Sequence, residues 1–180
     1  MSTAVSRTGF APRGAGGDPL AIARRYAARR ANWPQVRFDR RRRWYQRLAV
    51  GPEAEVWLLS WLPGQGTDLH DHGGAAGAFL VVAGTLTEHT PTGGNRDGDV
   101  FGSAGPRRRD DGGWRLRQSR WGEGQGRVFG ARHIHRIRNA GGEPAVSVHV
   151  YRPALQEMTR YEITDDRLVV TAVDSAGVDW

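Results

Sequence analysis

The chain has 180 residues, enough for one domain with a sizeable core, and a formal net charge of +7. It contains no cysteine, which excludes disulfides and thiolate metal sites, so any bound metal must be held by His, Asp or Glu. All 26 basic residues are arginine, and no zinc-finger, helix-turn-helix or RNA-binding signature accompanies them, so they read as a solvated basic surface rather than a specific nucleic-acid interface.

No apolar run approaches the roughly 18 residues of a membrane span, and the first residues lack the apolar core of a secretory signal. The expectation is a soluble, cytoplasmic, monomeric protein with no membrane partner. Residues 1–17, rich in Gly, Ala and Ser, are expected to form a mobile tail, and residues 18–180 a single domain that opens with a helix. Asp18-Pro19 reads as an N-cap followed by proline in the first turn. Leu20, Ala23, Tyr26 and Ala27 then recur at helical spacing, through about Asn32, until Trp33-Pro34 ends the helix.

Short strands follow, separated by turn residues: Arg43–Val50, Glu55–Leu62, Gly77–Ala83 and, after a turn at Gly84, Thr85–His89. Residues 91–113 lack apolar periodicity and read as a long hairpin loop. Strands resume at Trp114–Gln118, Arg127–Phe129, His133–Arg138 and Ala145–Tyr151, with a helical turn around Ala154–Thr159 and a last strand at Leu168–Val173. Many short strands of this kind predict a mainly β sandwich or barrel.

Two groups of side chains carry the chemistry. His70 and His72 lie two residues apart, where a strand presents both imidazoles on one face and can offer two ligands to one ion. Ser147, His149 and Tyr151 likewise share one face of a strand whose other face is Val146, Val148 and Val150. If that strand is buried, the three polar groups need one another as hydrogen-bond partners; the alternative is a polar ladder facing solvent.

Gly64, His70, His72 and Gly84 match the first sequence motif of the cupin superfamily, and Gly124, His135 and Asn139 match its second. The glutamate ligand of the first motif is missing, with Ala76 and Gly77 in its place. Three neutral imidazoles would leave a divalent ion its full charge and open positions for an anionic chelating substrate and dioxygen. Imidazole suits several transition metals, so the donor set alone does not name the ion.

The segments Trp44-Tyr-Gln-Arg47, His70-Asp-His72, Gly84-x-Leu-x-Glu88, His135-Arg-x-x-Asn139 and Glu143–Tyr151 together resemble cysteine dioxygenase, a cupin thiol dioxygenase. The resemblance implies a cupin jelly-roll barrel and a ferrous ion, Fe(2+), on His70, His72 and His135. It further implies a relay of Ser147, His149 and Tyr151, and a substrate carboxylate held by Arg47 beside Tyr45. The implied reaction is oxidation of L-cysteine by O2 to the sulfinic acid. Animal members carry a cysteine at the position of Gly77, crosslinked to the relay tyrosine, whereas bacterial members have glycine. Relatives acting on 3-mercaptopropionate tend to have glutamine where Arg47 stands; Gln46 is adjacent, and a one-residue slip of the strand would exchange the two. A non-enzymatic metal-binding cupin acting as a sensor is the reading from another class. His133 falls outside the ligand positions and reads as a supporting or packing residue.

Overall fold

The computed structural model describes residues 17–51, 54–93 and 113–175. Nearly all of the expected tail, and the expected loop from residue 94 to 112, lie outside those residues. Helix α1 (Pro19–Ala28) starts as the sequence predicts, the Asp18 carboxylate accepting from the Leu20 N–H at 3.1 Å. A separate 3₁₀ turn, Arg30–Asn32, takes up the rest of the expected helix.

Eleven strands follow in the described residues: β1 (Tyr45–Val50), β2 (Glu55–Trp61), β3 (Leu69–His70), β4 (Ala76–Ala83), β5 (Thr85–Thr92), β6 (Arg115–Gly122), β7 (Gly126–Phe129), β8 (Arg136–Arg138), β9 (Ala145–Arg152), β10 (Glu157–Thr164) and β11 (Arg167–Ser175). The turn between β4 and β5 needs glycine: Gly84 has φ +74°, and a Cβ there would meet the Pro144 carbonyl oxygen at 2.5 Å. The helical turn expected at Ala154–Thr159 is not formed. Glu157–Thr164 pairs as β10 with β11 and with β3, and these ladder partners override the local pattern.

A five-stranded sheet runs β1-β2-β9-β4-β7, and two three-stranded sheets run β11-β10-β3 and β6-β5-β8. The small sheets are stitched together by isolated bridges, Gly66 to Arg138 and His70 to His135. The result is a mainly β jelly roll, its sheets packed as a sandwich rather than closed into one continuous barrel.

The five-stranded sheet is covered on both faces, which explains why β4 and β9 read as almost continuous apolar runs. One face buries Val56, Leu58, Leu80, Val82, Val146, Val148 and Val150 under Leu20, Ala23, Tyr26 and Ala27 of α1. The opposite face presents Leu59, Trp61, Phe79, Val81 and Tyr151 to Leu86, Ile137, Leu155 and Met158 across the sandwich. Residues Ala145 to Tyr151 are all buried, so the Ser147-His149-Tyr151 row is an interior feature and not a solvent-facing ladder.

Asn139 ties the layers near the site. Its fully buried amide donates to the carbonyls of Trp61 at 3.0 Å and Glu143 at 2.8 Å, and its carbonyl accepts from the Gly141 N–H at 3.0 Å. Removing the side chain leaves three backbone groups without this partner, the Trp61 carbonyl among them in the buried interior. Asn139→Ala is therefore expected to cost about 3 kcal/mol of folding stability, read from urea unfolding midpoints at unchanged m-value.

Candidate metal centre and cavity

The two histidines of the His-x-His pair are placed by a turn as much as by a strand. His70 ends β3, and His72 lies just beyond it. Asp71 between them holds the turn: one carboxylate oxygen accepts from the Gly73 N–H at 2.9 Å, the other from the Tyr161 hydroxyl at 2.6 Å. His135 is brought in by the bridge to His70, in which the two residues exchange backbone hydrogen bonds of 2.9 and 3.0 Å. The three imidazoles form a nearly equilateral group, with ring centroids 4.9, 5.0 and 5.1 Å apart. One nitrogen from each lies within 4.8 Å of the others.

Hydrogen bonds assign the ring nitrogens. His70 Nδ1 lies 2.9 Å from the Asp68 carbonyl, which can only accept, so that nitrogen carries the proton and Nε2 keeps its lone pair. His135 Nδ1 lies 2.9 Å from Glu88 Oε1 and is fixed in the same way. His72 is different: both of its nitrogens are buried without a hydrogen-bond partner. A buried polar atom left without a partner is costly, and a cation held by the triad would supply the interaction that the protein does not. Burial holds the pKa values of all three imidazoles below the usual histidine range. For His70 the nearby His135 adds to this, for His72 the nearby His70 does, and for His135 the bond to Glu88 opposes it. Neutral, lone-pair-bearing imidazoles are the form that ligates a metal.

Glu88 is the support behind His135. It is fully buried, and one oxygen accepts from His135 Nδ1 and from His133 Nε2, each at 2.9 Å. The other accepts from Arg127 at 2.8 Å and from the Trp121 indole at 3.3 Å. Burial alone would raise its pKa, but the hydrogen bonds from His133, His135 and Arg127 outweigh that and keep it a carboxylate. Glu88, His133 and His135 also lie close enough to hold an ion. With four donors already on the carboxylate, one of them a guanidinium, these contacts are a carboxylate–histidine support, not a second metal site. His133 is thereby a supporting residue.

The Ser147, His149 and Tyr151 row forms a chain. The Trp61 indole can only donate, and it reaches Ser147 Oγ at 2.9 Å. Ser147 Oγ lies 3.0 Å from His149 Nε2, and His149 Nδ1 lies 3.3 Å from the Tyr151 hydroxyl. If Ser147 donates onward, His149 carries its proton on Nδ1 and donates to the phenol oxygen, leaving the phenol proton for the cavity; in the other tautomer His149 donates to Ser147 and the phenol donates to Nδ1. Burial, then the nearby His135 and Arg43, push the His149 pKa down to about 3, so it is a neutral imidazole. Burial pushes the Tyr151 phenol up, so it keeps its proton.

These groups border a cavity of about 340 Å³. His70, His135, His149 and Tyr151 line it, with Tyr45, Trp57 and Trp61 on one side and Ile137, Leu155 and Met158 on another. Of the two residues expected to bind substrate, Tyr45 is in the lining and Arg47 is not. Arg47 shares Tyr45's face of β1 but lies toward the rim, its side chain 51% exposed and paired with Glu55 at 3.2 Å. Glu55 in turn accepts from the Leu155 N–H, so Arg47 belongs to a clamp on the loop after β9. Three arginines line the cavity, Arg42, Arg43 and Arg160; Arg160 is paired with Asp68 and Asp174, and Arg43 lies 4.8 Å over the Trp61 ring and donates to the Gly66 carbonyl at 3.3 Å. Gln46 sits on the other face of β1, opposite Leu58, so the one-residue slip that would swap it with Arg47 does not occur.

Sequence reasoning missed Glu88 as a ligand support, Trp61 as the start of the relay and Arg43 as a cavity residue. Glu88 left a signal, an acidic residue in phase with the apolar Leu86. Arg43 left none, as one of four consecutive arginines.

A mainly β jelly roll that gathers three neutral imidazoles, one from each of two bridged strand ends and one from the adjoining turn, defines a cupin with a candidate metal site. The family model described as cysteine dioxygenase type I matches residues 19–164, and the chain belongs to that family. Among solved structures it is similar to a protein from Thermus thermophilus, at 17% identity and TM-score 0.49 over 66% of this chain and 90% of that one. It is also similar to a conserved Klebsiella pneumoniae protein with a double-stranded beta-helix domain, at 15% identity and TM-score 0.48 over 76% and 90% of the two chains. A cupin superfamily protein from Desulfitobacterium hafniense matches at 14% identity and TM-score 0.45 over 65% and 83%. Among the described residues, no helix is long and apolar enough to cross a membrane.

The buried neutral imidazoles set an acid limit on the fold. A histidine titrates near 6.5 in the unfolded chain, whereas His149 does so at about 3 in the fold. Below about pH 6.5 the unfolded state takes up a proton that the folded state refuses, so stability is complete above that pH and falls steadily toward pH 3. His149 alone contributes a loss on the order of 4–5 kcal/mol, and His70, His72 and His135 act in the same direction. Urea midpoints of the metal-free protein are expected to drop across this window, with unfolding accompanied by proton uptake.

Proposed function

We propose that this protein is a non-haem iron thiol dioxygenase that oxidises a small carboxylate-bearing thiol, with L-cysteine as first choice, to its sulfinic acid. The observation that carries this reading is the all-histidine donor set of His70, His72 and His135 beside the phenol of Tyr151. Among the described residues, no carboxylate belongs to that donor set. In the overall reaction both oxygen atoms of O2 are transferred to sulfur, the thiol losing four electrons and dioxygen gaining them. A ferrous ion held by His70, His72 and His135 would supply the dioxygen chemistry, favour the thiolate and hold both reactants together.

The protein's own groups do the rest. Tyr151 borders the cavity with its hydroxyl 3.3 Å from His149 Nδ1, and in the tautomer in which His149 donates to it the phenol proton is available for the reacting sulfur or oxygen atoms. Leu59, Ile137, Leu155 and Met158 keep the wall apolar, which strengthens every polar contact inside it. The carboxylate partner is assigned to Arg43 in place of Arg47. Arg43 lies over the Trp61 ring at the cavity wall, whereas Arg47 is engaged by Glu55 at the rim.

Oxygen uptake by the iron-loaded protein tests this directly. L-Cysteine is expected to consume one O2 per thiol and yield the sulfinic acid. Absence of uptake with both L-cysteine and 3-mercaptopropionate, despite full ferrous loading, would leave the non-enzymatic sensor reading in its place. Arg43→Ala is expected to raise KM for L-cysteine by about 10- to 100-fold, as loss of one charge-assisted pair implies. Arg47→Ala should change KM by less than about threefold while lowering stability, because it strands the buried Glu55 carboxylate. The reverse pattern returns the carboxylate to Arg47. Tyr151→Phe is expected to retain iron, measured by metal analysis, and to lower kcat by about 10- to 100-fold.

A further inference from the structure

His72 is held by no hydrogen bond at either nitrogen, yet its ring must keep a fixed aim if it is a ligand. His70 and His135 are aimed by the Asp68 carbonyl and by Glu88. Around His72 stand two aromatic rings instead: Phe129, stacked at 4.8 Å and 21°, and Tyr151 at 5.0 Å and 39°. We infer that Phe129, seated over Gly77, is the positioning residue for His72 and does by stacking what hydrogen bonds do for the other two imidazoles. The inference rests on the reading of His70, His72 and His135 as one metal site.

The sheet shows how the slot is made. Phe129, Gly77 and Tyr151 stand side by side on β7, β4 and β9, paired in register. Strands two apart in a sheet are separated by about 9.6 Å, twice the spacing of neighbours. The Phe129 and Tyr151 rings are only 6.3 Å apart, so they lean toward one another over the residue between them. That residue must lack a side chain. A Cβ on Gly77 would meet the Phe129 ring at 2.9 Å and would collide with the Val150 carbonyl oxygen. Phe129 also stacks on His133 at 5.4 Å and 20°, and is itself buried, so its ring is fixed from both sides. The absence of a side chain at position 77 thus seats Phe129, and Phe129 sets the plane of His72.

Stacking restrains the plane of an imidazole without choosing which nitrogen carries the proton. His72 is therefore the ligand whose tautomer the metal must select, and the one whose loss of support the site would feel first. Loss of a group that orients a ligand typically weakens metal binding 10- to 100-fold.

The test is binding of Co2+ alone to the full-length protein, followed by its visible absorption and by competition with a chelator. Phe129→Leu and Phe129→Met keep an apolar side chain but remove the flat face, and each is expected to weaken Co2+ binding at least tenfold and alter the absorption envelope. Phe129→Tyr, which keeps the ring, should stay within threefold of wild type. Val82→Ala, in the core on the far face of the same sheet, controls for general loosening and should leave affinity and spectrum unchanged. Wild-type affinity and spectrum in Phe129→Leu, or an equal loss in Val82→Ala, overturns the inference while the metal site stands. No Co2+ binding by wild type overturns the metal site and the inference together.

Discussion

Two backbone hydrogen bonds between His70 and His135 hold the architecture and the site in one place. They are the exchange pair of an isolated antiparallel bridge, 2.9 and 3.0 Å long, and they join the β11-β10-β3 sheet to the β6-β5-β8 sheet. Residues opposed in such a pair have Cα atoms about 5.5 Å apart and side chains on a common face. The stitch that makes one layer out of two small sheets is thus also what brings two imidazoles together. His72 follows from the same stitch, because Asp71 and Tyr161 pin the turn that carries it against β10. Formation of the donor set is therefore not separable from closure of the fold.

Around that bridge burial holds the histidines in the neutral form, and unlike contacts fix each ring. Glu88 takes a proton-bearing nitrogen of His135 and is kept ionised by His133 and Arg127, a carbonyl does the same for His70, and rings crowd His72. On the other wall, the donor-only indole of Trp61 begins a chain through Ser147 and His149 that ends on the Tyr151 phenol. Trp61 serves twice, since its face also carries Arg43. One large side chain from β2 thereby couples the proton arrangement at Tyr151 to the cation at the cavity wall.

Much of this is legible in the chain. The Ser147-His149-Tyr151 row needs only the period of two, and the valines between them mark a strand covered on both faces. Turn punctuation places most strands to within a few residues. It does not place β10, whose stability comes from ladders to β3 and β11, one of them nearly 90 residues away in sequence. The strand expected under His70 and His72 is only two residues long, and its partners, not a period, define its extent.

The arginines mark the boundary between what sequence and tertiary structure decide. Residue type and spacing determined the mainly β class and picked out the three candidate ligand histidines and the Ser147-His149-Tyr151 row, because periodicity and side-chain chemistry are local properties. Sequence could not choose between Arg43 and Arg47, since both are arginines on one short segment. The tertiary structure separates them: Trp61 offers its ring to Arg43 at the cavity wall, and Glu55 its carboxylate to Arg47. The surroundings of Glu88, Trp61 and Phe129 were decided in the same way. Each depends on which groups from distant strands meet it in a buried space where no polar atom can afford to go unpaired.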